Sequence, residues 1–583
     1  MKSPQQVLEA RLAAASLQLF ASAEVQVKPC ADARHGDFQT NAAMIRAKEL
    51  GKNPREVAAE LAALLPEDDA FTAPVIAGPG FLNFTLKAGW LNRALAVARA
   101  EGRLGIETEA QSGTVVLDFS GPNVAKEMHV GHIRSTILGD ALARCHRFLG
   151  RTVVTDNHLG DWGTQFGKIL LGYKRHGNEA DLAARPVEHL EALYQQIHEA
   201  SKTDEAIQEE ARKELLALQQ GNPESLALWK RFVAATLAEL DKIYSRLGVR
   251  FDETLGESAY NDRLDGVVKE LKAKGIARES EGAVVVFFDQ PGDDAQLADK
   301  PFLIQKSDEA FLYATTDLAT VAYRVERWKP IRIIYVTDGR QQLHFQQLFA
   351  TVRKWGIDRV VPTALEHVWF GAILGNDKKP LKTREGKPIK LRELLDEAES
   401  RALEIITEKR PELSEERRQE IARVVGLGAL KFADLGQNRN LDYVFDWKKL
   451  LAFEGNTAPY LQNGYVRIKS IFRKAAEQGV ALPAADAGAP LDLREEAEIA
   501  LGKKLLAFGE TLRIVAAESR PHYLCIYLCE LATAFHAFYE ACPVLKTGVP
   551  EEVRASRLAL CALTAEALQL GLGLLGIGTL EEM

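Results

Sequence analysis

The spacing of apolar and polar positions predicts an α/β architecture for the first part of the chain. Apolar residues recur at helical spacing over Gln5–Leu19, Gln39–Leu50 and Pro54–Leu65. Two short strand patterns flank a Gly-Pro-Gly turn within residues 75–84. These elements predict a separate small α/β domain over residues 1–110.

A strand–helix–strand pattern begins next, at Val115–Phe119. This apolar run is typical of a buried strand. It precedes an amphipathic helix that runs from Ile133 to Leu149 and ends before Gly150, and a second strand pattern follows at Thr152–Thr155. The pattern is typical of a βαβ unit with parallel strands.

The alternation of strands and helices resumes after an insertion. Residues 177–300 carry the pattern of charged helices and one strand, Ala283–Phe288. A strand at 331–336, a helix at Gln341–Trp355 and a strand at Val368–Leu374 follow. Two strand–helix halves separated by an insertion predict a doubly wound, Rossmann-like fold that binds a nucleotide.

We place this nucleotide-binding domain at residues 111–390. From there to its end the chain has helical spacing, with breaks at Gly455–Pro459 and at 478–490. We therefore expect a helical connecting region over 391–454 and an all-helical bundle over 455–583.

Composition narrows the class of protein. The 583 residues are 46% hydrophobic and 26% charged, with a net charge of −8, so no bulk basic character indicates a nucleic-acid binder. The six cysteines lack zinc-site spacing, which predicts no bound structural metal and a reducing compartment. Without an apolar run of 18 residues or a leader pattern, we expect a cytoplasmic protein that does not cross a membrane.

The most informative short motif is His129-Val130-Gly131-His132. It follows a Pro-Asn turn and falls where the helix after the first buried strand begins. Free backbone N–H groups and the helix dipole favour phosphate at such a helix N-terminus, and imidazoles add hydrogen-bond donors. Gly131 has no side chain, so a flat base can approach the backbone. The motif predicts binding of a phosphate-bearing nucleotide.

Several further segments resemble class I arginyl-tRNA synthetases, and the resemblance extends over essentially the whole chain. The segments are Asp118–Lys126, His129–His132, Asn157–Gln165, Tyr313–Ala319, Phe432–Leu435, Asp442–Asp446 and Phe453–Tyr460. Leu531–Tyr539 looks like the anticodon-binding bundle of that family, and Gly36–Asn41 looks like its extra N-terminal domain, which contacts tRNA.

The resemblance implies a two-step ligation. Arginine attacks the α-phosphate of ATP, which enters with Mg²⁺, to form arginyl-adenylate and pyrophosphate. The 3′-terminal ribose hydroxyl of tRNA-Arg then takes the arginyl group and AMP leaves. In this family, activation characteristically requires bound tRNA. Catalysis is then mostly positioning and stabilisation of phosphate charge. We expect a monomer.

The resemblance also implies which residues form the site. Those expected to contact ATP are His129, Val130, Gly131, His132, Gly160 and Asp161. Those expected to bind arginine are Asp118, Asn123, His158, Tyr313, Asp317 and Gln341. A guanidinium is planar with five donors, so carboxylates such as Asp118 and Asp317 suit it. Such a pocket rejects lysine by leaving buried polar groups unpaired, so no separate editing site is required.

One departure from the class I pattern concerns the second, mobile signature loop. Where its second lysine is expected, the segment Pro380–Gly386 has Thr383. Many arginyl enzymes share this loss, and Lys126 looks like the compensating cation. Lys382 and Arg384 remain candidates for ATP contact.

Aromatic and basic residues in the last third of the chain are candidates for contact with tRNA. Aromatic faces usually read single-stranded loop bases, and cations hold phosphates. The candidates are Tyr460, Tyr465, Arg467, Lys469, Phe535, His536 and Tyr539.

Three other interpretations remain at this stage. Another class I synthetase would need a cysteine-rich zinc site or cations where Asp118 and Asp317 stand. A small nucleotidyltransferase with the same histidine motif would have no function for the helical last third of the chain. A catalytically silent synthetase-like RNA-binding protein would not need His129 and His132. Pyrophosphate exchange with each amino acid, with and without tRNA, separates all of them.

Overall fold

A computed structural model of the protein describes residues 1–109, 113–381, 388–482 and 491–583. These residues divide into two compact units. The first unit contains Met1–Thr108, Ala452–Leu574 and Gly578–Met583. The second contains Glu109–Leu451 and Leu575–Ile577.

The N-terminal part of the first unit packs helices on one antiparallel sheet. Its helices are α1 (Pro4–Phe20), α2 (Ala42–Leu50), α3 (Pro54–Ala63) and α4 (Ala88–Ala100). Its strands are β1 (Val27–Pro29), β2 (Phe38–Thr40), β3 (Val75–Ala77) and β4 (Phe81–Phe84), in the order β1-β2-β4-β3. Apolar side chains from the helices and the sheet form the core, such as Leu12 on α1, Leu61 on α3 and Leu82 on β4. The predicted helix over 39–50 begins only at Ala42, because residues 38–40 pair with β1 and β4.

The second unit contains the parallel sheet. Its strands are β5 (Thr114–Phe119), β6 (Thr152–Asp156), β7 (Ala277–Ser280), β8 (Ala283–Val286), β9 (Phe302–Gln305), β10 (Arg332–Val336), β11 (Ala364–His367), β12 (Ile373–Leu374) and β13 (Tyr443–Val444). The central sheet has the order β11-β10-β5-β6 with every pair parallel. The strand predicted over 368–374 is wrong for most of its length: β11 ends at His367, and only Ile373–Leu374 is a strand, in a different sheet. Between them, Gly371 lies against Asp442 and its N–H donates to Arg439 O.

Helices flank this sheet and form the insertion. They are α5 (Val130–Phe148), α6 (Gln165–His176), α7 (Glu179–Ala184), α8 (Pro186–Ala200), α9 (Glu205–Gln219), α10 (Pro223–Leu247), α11 (Leu264–Ala273), α12 (Tyr313–Trp328), α13 (Gln342–Trp355), α14 (Ile357–Val360), α15 (Leu391–Lys409), α16 (Glu415–Leu435) and α17 (Trp447–Leu450). Helix α5 connects β5 to β6, and the inserted strands β7, β8 and β9 form their own antiparallel sheet.

The C-terminal part of the first unit is helical. Its helices are α18 (Ala458–Glu477), α19 (Glu496–Leu506), α20 (Phe508–Glu518), α21 (His522–Ala541) and α22 (Glu551–Leu574). Among the described helices, α22 alone has the length and hydropathy of a membrane span, but 72% of that window is buried inside the protein, as in a core helix. Within this unit, Lys503 on α19 pairs with Asp37 at 2.7 Å.

Candidate active site

The sequence-predicted residues of the second unit gather around the carboxyl ends of its parallel strands. Strand β5 lies between β6 and β10, so the chain crosses to opposite sides of β5 in the two halves of the sheet. In open α/β sheets a ligand crevice forms at such a switch point. Asp118 and Asp156 lie at or next to the ends of β5 and β6, and Tyr335 lies one residue before the end of β10.

The two histidines of the motif cap the N-terminus of α5. His129 is the N-cap residue, and its Nδ1 accepts a hydrogen bond from the Gly131 N–H at 3.1 Å. His132 Nδ1 accepts from the His129 N–H at 3.1 Å. The ring centroids are 4.1 Å apart. A Cβ at Gly131 would lie 2.8 Å from His129 Cε1, so the absence of a side chain there makes room for the imidazole.

The expectation of free backbone N–H groups at this helix end is wrong. The Val130 N–H donates to Ile389 O at 2.9 Å, and the His132 N–H donates to His129 O at 2.9 Å. Residues 128–130 pair with residues 389–391 in an antiparallel bridge, which covers the helix end. Donors for a phosphate must therefore come from side chains.

Both imidazoles are neutral and can each donate one hydrogen bond. A backbone N–H can only donate, so each Nδ1 is an acceptor and the proton of the neutral ring is on Nε2. Burial lowers the pKa of His132 to about 4, with a further contribution from His129. Burial and the charge of Arg340 lower the pKa of His129. Each ring thus presents an Nε2–H donor without a fixed positive charge.

The loop between β5 and α5 has strained backbone and is held from several sides. Ser120, Gly121 and Ala125 all have positive φ, at 72°, 51° and 61°. The Ser120 N–H donates to Ser135 Oγ on α5 at 2.8 Å, and its Oγ lies 2.8 Å from the Tyr244 hydroxyl on α10. The insertion thus helps to shape the loop that carries the motif.

Asp118, which we expected to bind the guanidinium of the substrate, accepts a hydrogen bond from the guanidinium of Arg324. Asp118 Oδ2 and Asp156 Oδ2 each accept from Arg324 Nη2 at 2.7 Å, and all three side chains are almost fully buried. Burial raises the pKa of Asp118, while Arg324 and His158 lower it. Asp118 and Asp156 thus each supply one carboxylate oxygen to Arg324.

Asp317 on α12 is also held by a partner that the sequence did not reveal. Its Oδ2 lies 2.6 Å from His344 Nε2 on α13. Tyr313, four residues before Asp317, has its ring centroid 5.1 Å from that of His344 and is 65% exposed. The predicted pair Tyr313 and Asp317 therefore lies together, with His344 between the two helices.

His158 lies among acidic groups at the end of β6. His158 is near enough to Asp118, Asp161 and Glu257 to lower the pKa of each of these acids. Glu257 is a residue that the sequence did not indicate, and its burial raises its pKa. Within the described residues, His158 Nδ1 is buried without a hydrogen-bond partner.

Asp161, expected at ATP, has structural contacts instead, and its neighbour Gly160 lies against Asn123. Asp161 is buried and accepts from the N–H and Oγ of Ser258 at 2.8 and 2.7 Å. A carboxylate used in this way holds the loop at Gly256 rather than facing a nucleotide, so the prediction for Asp161 is corrected. Gly160 pairs with Asn123, whose Oδ1 would lie 2.1 Å from a Cβ at 160.

Three polar residues line the approach to this edge. Asn123 and Gln341 are exposed, as expected for residues that meet a ligand. Arg340, beside Gln341, pairs with Asp338 at 2.9 Å and is near enough to His129 to lower its pKa. Arg340 is a further cation at the site that the sequence did not indicate.

Lys126 lies beside the motif and faces the insertion. Its Nζ is 5.3 Å from the centroid of the Tyr194 ring on α8. It lines a cleft of about 170 Å³ together with Glu127, Lys242 and Lys390. Lys382 and Arg384 lie outside the described residues.

The predicted RNA-contacting residues fall into two groups. Tyr465 and Phe535 are 2% and 0% exposed, so they pack in the helical core and cannot stack on a base, which corrects both predictions. Lys469 pairs with Glu581 at 3.1 Å.

The remaining four candidates form one surface patch. Arg467 Nη1 lies 3.1 Å from His536 Nδ1, and its guanidinium lies 5.7 Å from the Tyr539 ring. The Tyr460 ring lies 5.4 Å from His536. We refer to Tyr460, Arg467, His536 and Tyr539 as the α18–α21 patch.

Comparison with known proteins agrees with this arrangement. Residues 3–86 match the arginyl tRNA synthetase N terminal domain, residues 95–447 the catalytic domain of class I (R) tRNA synthetases, and residues 461–583 the DALR anticodon binding domain. The arginine–tRNA ligases of Cellvibrio japonicus and Azotobacter vinelandii are both 47% identical over 96% of this chain and 95% of their own. The chain belongs to the arginyl-tRNA synthetase family.

Solved structures of arginyl-tRNA synthetases share the whole fold. That from Plasmodium falciparum has a TM-score of 0.85 at 29% identity and covers 100% of both chains. That from Thermus thermophilus has a TM-score of 0.83 at 27% identity over 99% of this chain and 100% of its own. The chain is thus a class I aminoacyl-tRNA synthetase in fold, with the predicted N-terminal domain and the predicted C-terminal helical domain.

Among the functional residues that the sequence analysis did not identify, Arg324 is the one that a local pattern could have indicated. It follows Asp317 by seven residues on α12, two helical turns on, and so lies on a similar face of the helix. His344 and Glu257 left none, because their positions depend on how separate segments pack.

Proposed function

We propose that this chain ligates L-arginine to the 3′ end of tRNA-Arg through arginyl-adenylate, with activation dependent on bound tRNA. The observation that carries the proposal is the pair of buried or half-buried acids, Asp118 and Asp317, at the same sheet edge as the donors of His129 and His132. Membership of the arginyl-tRNA synthetase family supports it.

In the first step, a carboxylate oxygen of arginine attacks the α-phosphorus of ATP. The bond to the oxygen that bridges to the β-phosphate breaks, and pyrophosphate leaves with that electron pair. The Nε2–H groups of His129 and His132 would donate to the phosphate oxygens as negative charge shifts. Mg²⁺ would arrive on the phosphates of ATP as part of that substrate. Among the described residues, no group of three or more His, Cys, Asp or Glu side chains is arranged to hold a metal ion.

In the second step, a ribose hydroxyl oxygen of the tRNA attacks the carbonyl carbon of the adenylate. The bond between the carbonyl carbon and the bridging oxygen breaks, and AMP leaves with that electron pair while its phosphate oxygens take the proton of the hydroxyl. For both steps, positioning of the reacting atoms supplies most of the rate. We propose Val130, Gly131 and Gly160 as the backbone that meets the adenosine.

Recognition of arginine divides between the two ends of the substrate. Asp118 and Asp317 would accept from the guanidinium, and the exposed Tyr313 ring would lie along the aliphatic part. Asn123, His158 and Gln341 would hold the α-amino and carboxylate groups.

For tRNA, we propose the α18–α21 patch as the surface that stacks on anticodon bases, because it combines two tyrosines, a histidine and an arginine at the surface. We propose that residues 1–110 contact the tRNA as well and that 391–454 connect the catalytic domain (111–390) to the bundle (455–583).

We also propose that the enzyme is cytoplasmic and acts as a monomer. Sedimentation of the purified protein tests the monomeric state.

Substitution of Lys126 tests the proposed contact of this residue with the phosphates of ATP. If Lys126 compensates for the lysine that Thr383 replaces, Lys126→Ala lowers kcat for pyrophosphate exchange by about tenfold or more and changes the KM for ATP little. Lys242→Ala is the matched control, since Lys242 lines the same cleft but pairs with Glu239. A wild-type exchange rate in Lys126→Ala would rule out this role.

Substitution of Asp317 tests the proposed contact of this residue with the guanidinium of arginine. Asp317→Asn removes a negative charge but keeps the shape, so the KM for arginine should rise by about tenfold or more while that for ATP changes by less than about twofold. Pyrophosphate exchange in the presence of tRNA measures both constants. An unchanged KM for arginine would remove Asp317 from the pocket.

A further inference from the structure

His344 stands out because it contacts a proposed substrate-binding acid without being a substrate ligand in the proposal above. Its Nε2 lies 2.6 Å from Asp317 Oδ2, and the two side chains are 15% and 22% exposed. They come from different helices, α13 and α12. The contact therefore fixes the orientation of the Asp317 carboxylate relative to a second element.

The imidazole itself is held by aromatic side chains. Its ring centroid lies 5.5 Å from Phe302 on β9, 5.1 Å from Tyr313 on α12 and 5.4 Å from Phe345 on α13. Three neighbours from three elements leave the ring little freedom to turn away. A hydrogen bond from a ring held in this way restricts the carboxylate more than a bond from a long flexible side chain does.

The chemistry of the pair sets the direction of the hydrogen bond. An ionised carboxylate only accepts, so the proton is on His344 Nε2 and Oδ2 accepts it. The lone pairs of Oδ1 and the second lone pair of Oδ2 can accept from a substrate, in directions set by the bond to His344. Asp118 is held in the same manner, with Oδ2 on Arg324 Nη2. Each proposed arginine-binding acid thus has one oxygen fixed by the protein.

We propose that His344 is a positioning residue that holds the Asp317 carboxylate in the plane that receives the guanidinium of arginine. The inference rests on the proposed function, in which Asp317 contacts that guanidinium. The donors of a guanidinium lie in one plane, so the orientation of the acceptor matters. An ammonium is a rotating point charge and depends on orientation much less. His344 therefore contributes to the preference for arginine over lysine.

The test separates the hydrogen bond from the packing. His344→Phe keeps an aromatic ring among Phe302, Tyr313 and Phe345 but removes the donor. His344→Gln restores a donor close to the position of Nε2. His176→Phe, at an exposed histidine on α6, is the control for the change of residue type. Thermal unfolding of all variants shows whether each one folds.

We expect His344→Phe to raise the KM for arginine by about tenfold with less than about a twofold change in the KM for ATP, and His344→Gln to recover most of the loss. The ratio of kcat/KM for arginine to that for lysine, measured by pyrophosphate exchange with tRNA present, should fall in His344→Phe. Equal KM values for arginine in His344→Phe and the wild type would overturn the proposal. So would a loss that His344→Gln does not recover.

Asp317→Asn distinguishes this inference from the proposed function. If Asp317→Asn leaves the KM for arginine unchanged, the role of Asp317 fails and the role of His344 fails with it. If Asp317→Asn raises that KM and His344→Phe does not, only the positioning role fails. In the double variant, the rise in KM should be close to that of Asp317→Asn alone, because His344 acts through Asp317. An additive rise would show that His344 acts by another route.

Discussion

At the residue scale, the function depends on side chains that other side chains hold in place. The sequence predicted His129, His132, Asp118 and Asp317 from a motif and a family resemblance. It did not predict their partners. Arg324 lies 206 residues from Asp118 in the chain, and no local pattern predicts such a contact.

The histidine motif shows the same limit. Its spacing predicted a helix N-terminus that binds phosphate through free N–H groups, but residues 389–391 cover that end. This pairing joins segments about 260 positions apart, which hydrophobic periodicity does not report. The sequence analysis explained Gly131 by the approach of a base, whereas the structure shows that a side chain there would displace the ring of His129.

Gly131→Ala tests this local geometry. The new Cβ would lie 2.8 Å from His129 Cε1, so the imidazole must move and its Nε2–H no longer points where the phosphate charge develops. We expect kcat for pyrophosphate exchange to fall by about tenfold or more, with little change in thermal midpoint. The control is Gly266→Ala on α11, where a Cβ meets nothing within 4 Å. A wild-type kcat would show that the ring position is unimportant.

At the element scale, the insertion between the two halves of the sheet helps to build the site. Periodicity located its helices but gave no reason to connect them with the motif loop. Helix α10 supplies Tyr244, whose hydroxyl meets Ser120 at 2.8 Å and Asn157 at 3.2 Å, and Thr236, which accepts from the Ala125 N–H at 3.2 Å. These bonds hold a loop whose backbone has positive φ at non-glycine residues.

Tyr244→Phe tests whether α10 holds this loop in place. Burial raises the pKa of Tyr244 to about 12, so its hydroxyl stays protonated and its bonds to Ser120 and Asn157 persist across neutral and alkaline pH. Without it, the loop relaxes, and we expect the KM for ATP to rise about three- to tenfold. Tyr173→Phe is the matched control, because that hydroxyl bonds Glu179 in the insertion. Equal effects of the two variants on exchange would contradict a specific role of α10.

At the scale of the whole molecule, chain order and compact units do not coincide. The sequence predicted consecutive domains, whereas the first unit combines residues 1–108 with most of the C-terminal helices. Leu575–Ile577 belong to the second unit, where buried Lys431 donates to Gly576 O and Leu247 O. Apolar spacing predicts which elements exist, but not which distant segments share a core.

Gly576→Ala tests the importance of this short C-terminal segment to the second unit. A Cβ there would lie 2.9 Å from Asp140 Oδ2 and 3.1 Å from Lys431 Nζ, at a φ of 68°. Gly548→Ala is the control, since its φ is also positive but a Cβ meets nothing. We expect Gly576→Ala to lower the thermal midpoint by about 3 °C or more beyond the control, because the packing and the bonds of Lys431 are lost. Equal shifts would mean that backbone strain alone is responsible.

Amino-acid-dependent exchange of pyrophosphate into ATP by this protein tests most directly whether it activates arginine. Each of the standard amino acids is supplied separately, with and without total tRNA. We expect exchange with arginine when tRNA is present and only a small fraction of that rate with lysine. Exchange that is supported equally well by another amino acid, or no exchange with arginine and tRNA, would contradict it.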